Sequence, residues 1–268
     1  MHTITVPRWA SFFAILAAFA FCAHWSPPAR AGSALFDDQS DLWWVASESG
    51  WGIQFIHRGN TIFATTFIYD AAFKPTWVVA TLKPIGNSWT GDVIVTTGSP
   101  YGAPTWDPTA VTGRKAGAMT WTPETDGATG SLAYSIDGTN LQKTIARQTI
   151  EFDDFSGRYG GMLSVSNTCR GVREDFVEIV VTQVGRLATI NLDNRSTLDN
   201  CSYAGTLTQN GQFGTLNGSF ECGPIHDDGT FFFEQMSVTP TSLVARYRSV
   251  DGDTGCKSTG YIGLARHR

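Results

Sequence analysis

The stretch Trp51-Gly52-Ile53-Gln54-Phe55-Ile56-His57-Arg58-Gly59-Asn60-Thr61-Ile62-Phe63-Ala64-Thr65-Thr66-Phe67-Ile68-Tyr69 decides the fold. Two runs in which apolar side chains recur at every second position flank a short polar joint. That period belongs to strands, whose successive side chains point to opposite faces. The joint Arg58-Gly59-Asn60 is rich in residues that tolerate positive φ, and so short a link joins antiparallel neighbours. On the first strand the alternation groups Trp51, Ile53, Phe55 and His57. On the second it groups Phe63, Phe67 and Tyr69, and on the next Trp77 and Val79. Together these sets predict a continuous aromatic surface that fills the interior of a small barrel, each ring contributing roughly 2 to 3 kcal/mol by burial.

Working outward, the same alternation recurs along the chain, with about eight short strands in each half and no stretch of helical period. Asp137-Gly138, Asn210-Gly211 and Asp251-Gly252-Asp253 supply further tight turns. The expected fold is all-β, with two tandem small antiparallel up-and-down β-barrels; a sandwich is the alternative. The two halves differ in composition. All seven tryptophans beyond the leader lie between Trp43 and Trp121, and all four cysteines beyond it lie between Cys169 and Cys256. This divides the chain into a tryptophan-rich module over 40–152 and a disulfide-bearing module over 153–268, with the boundary at Asp153-Asp154.

Residues 1–31 read as a secretory signal: Arg8 precedes an apolar run from Ala10 to Ala23, and Ala29-Arg30-Ala31 has the small-x-small cleavage pattern. Bulky Phe21 before Cys22 argues against a lipoprotein site. The run is short and soon meets Pro27-Pro28, and the mature chain has no stretch of membrane-helix length. The net charge of −5 becomes more negative once Arg8 and Arg30 leave with the leader, which disfavours nucleic acid and anionic membrane as partners. The destination read from these features is secreted or periplasmic.

Up-and-down order brings the links Ser47–Gly50, Asp70–Lys74, Gly98–Ala116 and Asp137–Gly138 to one end of the first module. Glu48, Asp70, Tyr101, Trp106 and Asp107 then surround a single mouth. The link from Gly98 is the longest and carries three prolines, which reduce the entropy lost on ordering it. Rings beside carboxylates suit a sugar, the rings stacking on C–H faces and the acids accepting hydroxyl hydrogen bonds. A small apolar ligand or an extended peptide fits the same set. The leading expectation is therefore a non-catalytic binding protein for a glycan or small ligand, without cofactor or metal. An extracellular hydrolase with Glu48 and Asp70 as a carboxylate pair is one alternative. A structural or partner-binding envelope component is the other. No Gly-x-Ser-x-Gly elbow is present, and His57 shares a strand face with Trp51 and Phe55, which places it in the core or at its rim.

In the second module the four cysteines fall at one end, in or beside alternate links. Bridges need Cα separations of about 4.4 to 6.8 Å, so neighbouring links should pair. Cys169–Cys201 with Cys222–Cys256 is the favoured pairing, and Cys169–Cys256 with Cys201–Cys222 is the alternative. The same links carry Asp199, His226, Asp227, Asp228, Asp251 and Asp253. Ile262 stands where a calcium loop needs its glutamate, so these read as a solvated acidic rim. In the stretch Phe231-Phe232-Phe233 rings point to both sides, which suggests burial against the first module.

Asp41-Leu42-Trp43-Trp44, Glu48-Ser49-Gly50-Trp51-Gly52, His57-Arg58-Gly59, Tyr69-Asp70 and Pro75-Thr76-Trp77 together resemble a segment, about Asp41 to Gln148 here, carried by a group of secreted proteobacterial proteins without an established activity. The resemblance implies a secreted β module and nothing catalytic. Two positions depart from the usual pattern. Ala46 replaces a proline after the tryptophan pair, and Phe73-Lys74 replaces a glycine ahead of Pro75.

Overall fold

The computed structural model describes residues 38–194, 200–223 and 227–267. The expected signal segment over 1–31, Asp199 and His226 lie outside these residues. The first barrel runs β1 (Asp41–Trp44), β2 (Gly52–Arg58), β3 (Thr61–Tyr69), β4 (Pro75–Ile85), β5 (Ser88–Thr97), β6 (Thr112–Pro123), β7 (Thr129–Ile136) and β8 (Thr139–Arg147). Each strand pairs antiparallel with the next, and β8 returns to β1. The second barrel runs β9 (Gly157–Asn167), β10 (Gly171–Val184), β11 (Leu187–Asn194), β12 (Asn200–Asn210), β13 (Phe213–Cys222), β14 (Asp227–Val238), β15 (Ser242–Asp251) and β16 (Lys257–Arg266), with β16 closing on β9. Both are up-and-down barrels, so neither leaves an open sheet edge.

The aromatic surface expected from the sequence divides between two faces. Ile53 and Phe55 point inward as predicted, with His57 nearly buried beside them. Their register partners on β3 are Thr66, Ala64 and Ile62, so the inward set of β3 is the even-numbered one. Phe63, Phe67, Tyr69 and Trp77 therefore face outward, a correction to the predicted lumen filling. Volume explains it. An eight-stranded barrel is just wide enough for its own side chains, and Trp43, Trp89, Trp121 and Phe55, all buried, take most of that space. Ala64 and Ala80 meet them as a small pair in direct register, flanked by buried Ile62, Leu82 and Val78. Gly130 answers the same demand, since a Cβ there would lie 2.2 Å from the Trp121 ring.

The lumen of the second barrel is filled by Tyr203, Phe220, Phe231, Phe233 and Tyr247, with the Tyr203 and Phe231 rings edge to face at 5.1 Å. Phe232 points the other way, half-buried, with the Arg248 guanidinium 4.8 Å above its ring. It lines a cavity of about 210 Å³ together with Thr125–Ala128 of the first barrel, so the outer face of this strand is only partly covered, short of the burial on both sides expected from the sequence.

The disulfides are Cys169–Cys256 and Cys201–Cys222, with Cα separations of 5.8 and 4.0 Å. This overturns the favoured pairing and realises the alternative. Strand order supplies the reason: Cys201 and Cys222 stand directly opposite each other on β12 and β13. Cys169 and Cys256 flank the seam where β16 meets β9, and the Thr168 N–H donates to the Lys257 carbonyl there at 2.9 Å. Either bond of the favoured pairing would have had to reach across two intervening strands.

The end of the first barrel opposite the mouth is plugged and docked. Gln39 crosses it, accepting the Trp121 indole N–H on its side chain at 3.0 Å and the Trp43 indole N–H on its carbonyl at 3.1 Å. Arg147, whose side chain is 1 % exposed, donates to the Asp38, Ser40 and Gly127 carbonyls and to the Asp41 carboxylate. Its guanidinium lies 4.5 Å from the Trp43 ring and 4.8 Å from the Phe213 ring of the second barrel. The β12–β13 hairpin of that barrel reaches back to the same place. The Gln212 N–H donates to Asp41 at 2.9 Å, and Gly211 passes so close that a Cβ would overlap the Asp41 carboxylate. Buried Gln209 holds the linker through the Glu151 carbonyl and the Asp153 amide.

Candidate functional site

The links 45–51, 70–74, 98–111 and 137–138 emerge together at the free end of the first barrel, as the strand order requires. What they present differs in kind between the acids and the rings. Glu48 accepts from Lys143 Nζ at 2.5 Å and from the Trp51 indole N–H at 2.9 Å. Lys143 also lies 5.2 Å above the Trp51 ring, so the three side chains form a clamp over the lumen. The hydrogen bonds from Lys143 and Trp51 hold the Glu48 carboxyl below its ordinary pKa. Just beneath, burial and the Glu48 charge push the Tyr134 hydroxyl up.

The other two acids hold their own loops. The Asp70 carboxylate accepts from the Ala72 and Lys74 amides at 2.8 and 2.9 Å and shapes the β3–β4 turn. Asp107 caps the 3₁₀ turn Pro108–Ala110, taking the Thr109 hydroxyl and amide, and those bonds lower its pKa. The neighbouring charges are paired in the same way: Arg114 with Asp137 and Lys115 with Asp92. The acidic half of the predicted mouth thus works as scaffold.

The rings stand free of such contacts. Tyr101 is fully exposed and Trp106 is 63 % exposed. The structure adds Phe73, which the sequence reading passed over: it is 88 % exposed at the tip of the β3–β4 turn. Its φ of +61° is a left-handed conformation that a bulky side chain rarely adopts, at a cost of about 1 to 3 kcal/mol. Trp43, Trp89 and Trp121 fill the plugged half of the lumen, and beneath the clamp its wall is lined by Tyr134 and half-buried Trp51.

Because the folded pKa of Glu48 is depressed, its stabilising contribution is present above the ordinary carboxylate range and is lost as pH falls through that depressed value. Acidification should therefore release the clamp and shift the Trp51 contribution to fluorescence in acid, and the Glu48→Gln variant should lack that transition. An unchanged acid transition in the variant would show that Glu48 does not hold Trp51.

A second concave region lies on the wall of the second barrel. It is a groove of about 510 Å³ lined by Arg158, Glu178, Asn191, Asp193, Ser202 and Glu221, among others. Glu178 and Asp193 stand directly opposite in register, as do Asn191 and Ser202. At the end of β15, Asp251 accepts from the Thr254 amide and hydroxyl of the following link. Among the described residues no group of three or more histidine, cysteine or acidic side chains is arranged to hold a metal ion. No protein-family model matches this chain, and no curated protein matches it.

Proposed function

We propose that the chain is an exported, non-catalytic binding protein that takes a glycan on the aromatic loop tips of its first barrel. The observation that carries this reading is the exposure of Tyr101, Trp106 and Phe73 together at one end of the first barrel. Apolar rings left in water at loop tips are costly unless something covers them. The leader pattern and the two disulfides support export to an oxidising compartment. Against the carboxylate-pair hydrolase stand the partners of those carboxylates: Glu48 is ion-paired and Asp70 is consumed by turn amides.

Trp106→Ala and Tyr101→Ala are each expected to weaken glycan binding roughly tenfold, the effect of losing one exposed stacking ring worth about 1 to 2 kcal/mol. Intrinsic fluorescence titrated with a panel of soluble oligosaccharides measures this, because every tryptophan of the described chain is in the first barrel. Equal affinity in both variants and the parent would remove the tips from the site.

A further inference from the structure

We propose that the ligand surface continues from the loop tips down the outer wall of β2, β3 and β4, and that it takes a linear, uncharged polysaccharide. This rests on the glycan-binding role proposed above and extends it from the tips to the wall. On that wall Phe63, Phe67 and Tyr69 of β3 point outward together with Trp77 of β4 and Ile56 of β2. Phe67 stands opposite Trp77 on one side and opposite Gly52 on the other, and Phe63 stands opposite Ile56. Phe67 is 50 % exposed and Trp77 55 %. From Phe63 to Tyr69 the platform extends about 20 Å at the rise of a strand, several times the width of one sugar ring. Tyr69 adjoins the turn that carries Phe73, so wall and tips form one surface.

Two features identify the occupant. The outward positions between these rings are Gln54, Thr65, Val79 and Thr81, all uncharged, and the cations of this face, Arg58 and Lys83, stand beyond Phe63 at its plugged end, where Lys83 donates to the Thr61 hydroxyl. The charges that border it are of both signs, Arg58 and Lys83 at one end and the Asp92–Lys115 pair on the neighbouring strands, so an ionic polymer would meet no run of counter-charge along the rings. A lipid or an apolar protein face would leave the Thr65 and Thr81 hydroxyls and the Gln54 amide without partners, which is unfavourable once water is excluded. A neutral polysaccharide meets both demands: its C–H faces lie on rings, and its hydroxyls bond to Thr65, Thr81 and Gln54. The length of the wall favours a chain over a single sugar.

The test uses the full mature chain and compares a panel of neutral polysaccharides with their short oligosaccharides, and with alginate as a charged control. The wall variant combines Phe67→Thr and Trp77→Thr, residues suited to an exposed strand position; the tip variant is Trp106→Ala. The wall variant is expected to lose at least tenfold in affinity for the long neutral chain, to bind the short oligosaccharide within twofold of the parent, and to keep the parent's circular dichroism. Parent-like binding of the long chain by a folded wall variant would overturn the wall inference while leaving the tips intact. Loss in the tip variant alone has the same meaning. Retention of alginate in preference to neutral chains would overturn it too. If no glycan binds, but the parent self-associates or sediments with phosphatidylcholine vesicles in a manner the wall variant abolishes, the wall serves that partner and both readings fall. Should the wall variant misfold, Trp77→Gln alone, read against the same long and short ligands, decides between the same outcomes.

Discussion

Replacing Arg147 with alanine is expected to destabilise the protein by about 3 to 5 kcal/mol, the range for breaking a buried ion pair and orphaning its partner. That loss lowers the melting temperature by roughly 10 °C. Few residues are so thoroughly engaged. One guanidinium satisfies three carbonyls and the Asp41 carboxylate, and it fills the space between Trp43 and Phe213. Without it, Asp41 becomes a nearly buried charge and the N-terminal plug at Gln39 loses its frame. Arg147→Lys should recover little, because a point charge on a flexible stem cannot serve acceptors spread around a planar fork. Lys143→Ala is the contrasting control: it also removes an ion pair, yet one exposed enough for the loss to be small. Differential scanning calorimetry of the three variants decides it. A melting temperature for Arg147→Ala close to that of Lys143→Ala would refute the assigned role.

Removing the Cys169–Cys256 bond should cost the second barrel more than removing Cys201–Cys222. Chain entropy for spans of 87 and 21 residues gives about 4.6 and about 3.3 kcal/mol, a difference near 1 kcal/mol. The longer span also fastens the seam between β16 and β9, where the barrel closes. The position of the tryptophans makes the measurement selective. Fluorescence follows only the first barrel, whereas far-ultraviolet circular dichroism follows both. In Cys169→Ser/Cys256→Ser, the denaturant midpoint seen by dichroism should fall while the fluorescence midpoint stays in place. If both midpoints fall together, the docked ends couple the barrels into one cooperative unit.

Period-two alternation and turn chemistry were enough to read sixteen strands in up-and-down order, because both signals are local. The side of the wall on which a strand's alternation lands is not local, and Phe63, Phe67 and Trp77 show this. Their strands alternate in either orientation; what turns them outward is the volume already taken by Trp43, Trp89 and Trp121, which lie elsewhere in the chain. Ala64 and Ala80 carried the missing signal, being small residues on the face that had to meet large ones. The cysteines fail in a related way. Grouping them at one end followed from strand order, but the partner of each depended on whether it sat in a link or on a strand. Cys201 and Cys222 are strand residues in direct register. Among the mouth residues, exposure of Tyr101 and Trp106 was legible from a long proline-bearing link. The engagement of Glu48 with Lys143 was not, because 95 residues separate them.

Each barrel begins and ends side by side: β1 lies against β8, and β9 against β16. A unit whose two ends meet can be circularly permuted, its old termini joined and a new opening cut at another hairpin, without disturbing any ladder. For the first barrel, a cut at Gly59 lies on the plugged side and leaves the tip links whole, whereas a cut at Gly138 would sever one of the links that emerge beside the tips. The architecture thereby provides a cassette that can be moved into other chains with its display end preserved.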